Sequence, residues 1–270
     1  MRNAAAAGLD AVALTDHDTT AGHAEARDAL PEGLTLIPGM ELSCHLHGRS
    51  VHLLAYLFDP AVPSRGGLGG STPLASTGLA AETGRIRDDR VIRAKAMVAR
   101  LAGLGAEVTW DHVARIAGAS VVGRPHIARA MAEAGVVARP EDAFTADWIG
   151  DHGRAYVEKY ALDPARAIRL VKEAGGVSVL AHPRAGSEWD LSDEEIAGLA
   201  AVGLAGVEVF HPDHPSHERR ALLHLVRDLA LIATAGSDDH GSFTGSRLGC
   251  ETSDEETVAR LYAQAPDPHP

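Results

Sequence analysis

Five short segments of this chain carry side chains of the types that bind divalent metals. They are Thr15-Asp16-His17-Asp18, Glu41 in Pro-Gly-Met-Glu-Leu, His52 in Val-His-Leu-Leu, His182 in Leu-Ala-His-Pro, and Asp238 with His240 in Gly-Ser-Asp-Asp-His-Gly. A catalytic divalent-metal site needs imidazole and carboxylate donors converging from several elements, with coordination positions left open. Each donor here stands at the edge of a short apolar run, where a strand is expected to hand over to a loop. A lone histidine after a strand is more often a capping or hydrogen-bonding residue. The ordered recurrence is what points to a shared site. Asp238 and His240 are two apart, so an extended backbone would aim both the same way. Glu41 and His52 lie on consecutive segments that can meet across a hairpin. Neither Gly-x-Ser-x-Gly nor a catalytic cysteine context occurs, so the expected nucleophile is a metal-activated water.

Such donors need a scaffold that returns to one rim repeatedly. The Ala-rich start reads as the end of a helix stopped at Gly8, followed by a buried strand over 11–14. Strands are expected over 34–37 and 51–58, with a hairpin tip at His47-Gly48-Arg49. The stretch 60–85 is rich in Gly, Pro, Ser and Thr without periodicity and reads as a loop. Helices are expected over 87–104, 111–117 and 125–134. After residue 161, helices over 164–174, 193–202, 216–229 and 254–261 alternate with strands over 177–181, 206–210 and 231–235. Alternation of this kind predicts an α/β fold, a mainly parallel sheet or barrel formed by 1–85 and 161–270, interrupted by a helical insertion over 86–160. Loops after the strand C-termini carry the chemistry of such folds. His17, His182, His211 and Asp238 fall at that position, which makes His211 a candidate substrate contact on the same rim.

The bulk composition narrows the partners. Aromatics are only 4% of a chain that is 45% hydrophobic, so the core must be built from Ala, Val, Leu and Ile. A net charge of −12 argues against a broad nucleic-acid surface, although bound cations would reverse the local field for a small phosphate ester. Two cysteines, Cys44 and Cys250, form no disulfide framework and read as buried small hydrophobes in a reducing setting. No apolar run approaches membrane-spanning length. A soluble, cytoplasmic protein without a membrane or stable protein partner is expected.

Taken in order, six stretches resemble the PHP (polymerase and histidinol phosphatase) family of metal-dependent phosphoesterases. They are Ala-Leu-Thr-Asp-His-Asp-Thr-Thr at 13–20, Pro-Gly-Met-Glu-Leu-Ser at 38–43, Val-His-Leu-Leu-Ala-Tyr at 51–56, Gly-Arg-Pro-His at 123–126, Ala-Gly-Gly-Val-Ser-Val-Leu-Ala-His-Pro at 174–183 and Gly-Ser-Asp-Asp-His-Gly at 236–241. The likeness is closest to stand-alone members acting on nucleotide and oligonucleotide phosphates. It implies a distorted (β/α)7 barrel in which His17, Glu41, His52, His182, Asp238 and His240 are the metal ligands. It further implies two or three divalent ions, manganese first, with zinc, iron or magnesium as the others. Arg124 and His126, at the start of an insertion helix, would grip a substrate phosphate. The implied substrate is a nucleotide 3′,5′-bisphosphate or the 5′ end of a short single-stranded RNA. The family opens with a His-x-His strand followed by an Asp, and this chain begins after that point, so a barrel lacking its first strand is expected. Cys44-His45-Leu46-His47 does contain His-x-His, but at a hairpin tip. The rival readings are a histidinol-phosphatase-like enzyme of small monoesters and a truncated, non-catalytic binder of metal or phosphate.

Overall fold

A computed structural model describes residues 1–58, 78–118, 120–185, 190–241 and 244–265. The chain divides into two compact units, one formed by Met1–Glu82 with Leu162–Pro270 and the other by Thr83–Ala161. The expected loop over 60–85 lies largely outside the described residues, and its last part is helical instead.

The first unit is built on a six-stranded sheet whose strands follow chain order: β1 (Ala11–Leu14), β2 (Thr35–Leu46), β3 (Arg49–Tyr56), β4 (Val177–Leu180), β5 (Gly206–Phe210) and β6 (Ile232–Ala235). β1 runs parallel to β2, β3 is antiparallel to both neighbours, and β4, β5 and β6 are parallel. The sheet is therefore mixed, with one hairpin. β4 reads Val-Ser-Val-Leu and is buried throughout, as suits a parallel strand covered on both faces.

Connecting helices cover this sheet. α1 (Arg2–Ala6) precedes β1 and α2 (His23–Asp28) follows it. α6 (Pro164–Glu173) starts where Asp163 accepts the Arg166 N–H and Pro164 needs no donor of its own. It buries Ile168, Leu170 and Val171 against β2, β3 and β4, at roughly 1.5–3 kcal/mol per fully buried side chain. α7 (Asp193–Ala201) opens with a reciprocal Ser192–Glu195 capping box. α8 (Ser216–Asp228) packs on β5 and β6, and α9 (Glu255–Gln264) on β6. Among the described residues no helix is long and apolar enough to cross a membrane.

The second unit is helical, with α3 (Leu79–Gly103) entering it, then α4 (Trp110–Ala117), α5 (Arg124–Glu133) and a 3-10 turn over Pro140–Ala143. Met97, Leu101, Val113, Ile127, Met131 and Ile149 form its own buried core.

Three sequence expectations change. β2 is far longer than 34–37, so Glu41 lies inside a strand and not beyond its end. The Pro-Gly-Met interruption hides this, because Pro38 stands where the β1 pairing ends, opposite Leu14. α2 was masked by its brevity. Cys44 is buried as expected, but Cys250 is exposed.

Candidate metal centre

The β2–β3 ladder sets two donors on one face. Glu41 pairs with Leu54 and Ser43 with His52, which makes Glu41 and His52 diagonal neighbours. The chain leaving β1 lays His17 beside Glu41 in an isolated parallel bridge. One ligand atom from each of His17, Glu41 and His52 falls within 4.8 Å of the others. Glu41 is the hub. Its Oε2 stands 3.6 Å from His17 Nδ1, and its Oε1 stands 2.7 Å from His52 Nδ1 and 3.3 Å from His182 Nε2.

The loops after β4 and β6 supply the rest. His182 follows β4, and its ring lies 5.3 Å from that of His52. His240 lies 5.8 Å from the His17 ring. Its Nδ1 is 3.3 Å from Asp238 Oδ1. Asp238 and His240 meet through a turn, with Asp238 at φ +48°, and not by strand alternation. Three predicted ligands, His17, His52 and His182, thus surround Glu41, while His240 stands beside the His17 ring and Asp238 beside His240.

This donor set fits a divalent cation. His52 Nδ1 is buried and faces Glu41 Oε1 at 2.7 Å, and His17 Nδ1 faces Glu41 Oε2 at 3.6 Å. Imidazole nitrogens and carboxylate oxygens brought together in this way suit a shared metal ion. The electrostatics agree. Burial works against the Glu41 charge, but His17 and His52, with the hydrogen bond from His182, hold its carboxyl well below the usual range. Burial would likewise lower the His182 pKa. The Glu41 hydrogen bond and charge, with Glu208 and Asp238, carry it up to about 9. A metal ion must displace that proton to use the ring.

Neighbouring side chains fasten the donors. Asp18, fully buried at φ +55°, accepts from the Ser43 N–H and Ser43 hydroxyl, both at 2.8 Å. Its own N–H donates to the Glu41 carbonyl. His23 Nε2 reaches the carbonyls of Leu14 and Gly39, tying the end of β1 to β2. Gly39 permits the approach, since a Cβ there would meet Thr15 Cγ2 at 2.8 Å.

His211 departs from its expected place. It is 1% exposed, so it lies behind the rim instead of on it. Its Nδ1 accepts from the Asp213 N–H, and its Nε2 faces Asp238 Oδ2 at 3.8 Å. His45 and His47 flank the hairpin tip, and His47 bonds to Glu195 of α7.

In the second unit, Arg124 Nη1 donates to Asp151 at 2.7 Å and to the Ile149 carbonyl at 3.3 Å. Its guanidinium also faces the Tyr156 ring at 5.6 Å. The His126 Nδ1 accepts the Gly123 N–H, capping α5 with its own third residue. Burial lowers the His126 pKa, helped by Arg90 and Arg129.

No protein-family model matches the sequence. Individual proteins do. A phosphoribosyl 1,2-cyclic phosphate 1,2-diphosphodiesterase of Eggerthella lenta is 30% identical over 90% of this chain and 87% of its own length. A 3′,5′-nucleoside bisphosphate phosphatase of Chromobacterium violaceum is 30% identical over 95% and 86%. The 5′-3′ exoribonuclease Rnm of Salmonella typhimurium is 30% identical over 88% and 78%. Among solved structures, one described as a metal-dependent phosphoesterase from Bifidobacterium adolescentis superposes with a TM-score of 0.84. It is 35% identical and covers 98% of this chain and 90% of that one. The chain belongs to the PHP family of metal-dependent phosphoesterases. It has a mixed α/β fold with a curled, half-barrel sheet and is a phosphoric-ester hydrolase that works with divalent metal.

Sequence reasoning missed three residues of this PHP site. Asp18 and Ser43 were legible only as parts of motifs. Glu208 was the clearer omission, because a carboxylate inside Gly-Val-Glu-Val-Phe breaks an otherwise apolar buried strand. A buried charge needs a reason.

Proposed function

We propose that this chain hydrolyses a phosphate monoester of a nucleotide, either a 3′,5′-bisphosphate or the 5′ end of a short RNA. His17, Glu41, His52, His182, Asp238 and His240 hold two or three divalent ions, manganese foremost. The observation that carries this is the convergence of three imidazoles on the two oxygens of Glu41. When bound, such ions supply charge stabilisation for a phosphoryl oxygen and acidify a water.

The chain's own residues do the rest. Glu41 holds its charge against burial because histidines surround it, so a deprotonated donor is ready at neutral pH. His211 sits behind Asp238 and steadies it, a role that replaces the substrate contact expected from the sequence. Arg124 and His126 take a phosphate of the substrate. Arg124 reaches Ile149 and Asp151 through Nη1, whereas a guanidinium offers five N–H donors in a fork suited to phosphate. The net charge of −12 favours a short substrate over a long polyanion.

The test is phosphate release from adenosine 3′,5′-bisphosphate with manganese, beside a 5′-phosphorylated tetranucleotide and a ribose cyclic phosphate. Turnover of either of the first two, abolished in Glu41→Gln, supports the reading. Turnover of the cyclic ester alone, or turnover undiminished in Glu41→Gln, overturns it.

A further inference from the structure

β5 lies between β4 and β6, and its two neighbours deliver His182 on one side and Asp238 on the other. Strand alternation places Val207 and Val209 on one face and Glu208 on the opposite one. Glu208 is only 4% exposed, in a strand with no other charged residue. Its Oε2 accepts the His182 N–H at 3.0 Å. Its Oε1 occupies the space beside Gly236 where a side chain would otherwise begin. A Cβ at Gly236 would overlap Oε1 and lie 2.9 Å from the Glu208 carboxyl carbon. One carboxylate thus touches both flanking loops at their first turns.

Two backbone features show what this contact restrains. His182 and Asp238 both sit at positive φ, +25° and +48°, conformations that a non-glycine residue adopts only under restraint from its surroundings. The β5–β6 ladder also shifts register between Glu208 and Phe210, and the Gly236 N–H then donates to the Phe210 carbonyl. Bulges of this kind re-aim side chains and end pairing beside sites.

We infer that Glu208 is a positioning residue, a strut that fixes His182 through its N–H and the Gly236–Asp238 turn by packing, so that ligands from two loops keep one geometry. This rests on the metal-site reading given above. Gly236 is the complementary half, since its missing side chain is what admits the carboxylate. The pair is therefore coupled. Either partner altered alone disturbs the site, whereas removing the carboxylate abolishes the need for the glycine.

The test is manganese affinity and stoichiometry by titration calorimetry on the intact chain. The proteins are wild type, Glu208→Ala, Glu208→Gln, Gly236→Ala, the Glu208→Ala/Gly236→Ala double variant, and Glu41→Gln as a control. Outer residues that orient metal ligands typically contribute about 10–100-fold in affinity. Glu208→Ala and Gly236→Ala are each expected to lose that much. Glu208→Gln, whose amide oxygen still accepts the His182 N–H, is expected to stay within about threefold. The double variant is expected to bind no worse than the weaker single one. Wild-type affinity in Glu208→Ala, additive losses in the double variant, or Glu208→Gln as weak as Glu208→Ala would overturn the inference. If Glu208→Ala does not fold, the contrast between Glu208→Gln and Gly236→Ala decides, and equal affinities overturn it. Loss confined to Glu41→Gln refutes the strut and leaves the metal site standing. Manganese binding unchanged in Glu41→Gln refutes the site itself.

Discussion

Asp18→Ala tests whether the β1 loop is clamped to β2 by one buried carboxylate. Asp18 is fully buried, and both its oxygens accept from Ser43 at 2.8 Å, once from the N–H and once from the hydroxyl. A hydrogen bond to a charged group contributes about 1.5–3 kcal/mol, so the two together represent roughly 3–6 kcal/mol. Removing the carboxylate also relieves its own desolvation, which returns part of that. Alanine at φ +55° adds strain. The net expectation is a destabilisation of about 2–4 kcal/mol, or roughly 5–15 °C in Tm for a chain of this size. Asparagine keeps an acceptor for the Ser43 N–H, tolerates the left-handed backbone, and lets the hydroxyl reverse its role, so Asp18→Asn should cost about 1 kcal/mol. Urea denaturation of the metal-free protein reads both. Because the lost clamp is next to His17, which lies beside Glu41, Asp18→Ala should weaken manganese binding as well. Two results refute the reasoning: Asp18→Ala within about 0.5 kcal/mol of wild type, or Asp18→Ala and Asp18→Asn equally destabilised.

Three further outcomes are expected. Chelation should lower Tm, and manganese at a hundred times its Kd should restore about 2.7 kcal/mol in wild type but nothing in Glu41→Gln, read by thermal denaturation. Arg124→Ala should raise KM about 10–100-fold with kcat little changed, since it removes binding and not chemistry; steady-state kinetics showing a fall in kcat alone would contradict this. His214 is buried, donates Nδ1–H to the Val209 carbonyl and accepts the Arg184 N–H at Nε2, so both nitrogens are committed in the neutral ring. Burial lowers its pKa, so the unfolded chain binds the proton more readily, and stability should fall as pH drops from about 6.5 towards that lowered value. His214→Gln should flatten this acid limb in denaturation curves taken at successive pH values.

The donors were legible because each of His17, His182, Asp238 and His240 stands just after an apolar run, a local pattern that needs no tertiary information. Glu41 and His52 were legible as residues that could meet across a hairpin, but their register was not. Only the register, Glu41 against Leu54 and Ser43 against His52, shows that they face one way from within a ladder. His211 differs from His182, which does reach Glu41. Both follow strands, but the chain after β5 turns so that Nδ1 of His211 takes the Asp213 N–H, and the ring is drawn inward to 1% exposure. At His211 the hydrogen bonds from the Asp213 and His214 N–H groups shape the turn, and those are invisible in periodicity.

The same reasoning explains why the carboxylates divide by role. Glu41 is surrounded by imidazoles and stays ionised against burial, so its charge is available to a cation. Asp18 is also buried, but its two oxygens are spent on Ser43. Glu208 is held above the ordinary carboxylate range by burial, with His182 and His211 only partly opposing. A carboxylate whose oxygens already serve an N–H and a packed glycine has geometry to offer a site more than charge. Counting acidic residues near the site therefore overstates its ligands, and what separates ligand from support is where each oxygen is already committed.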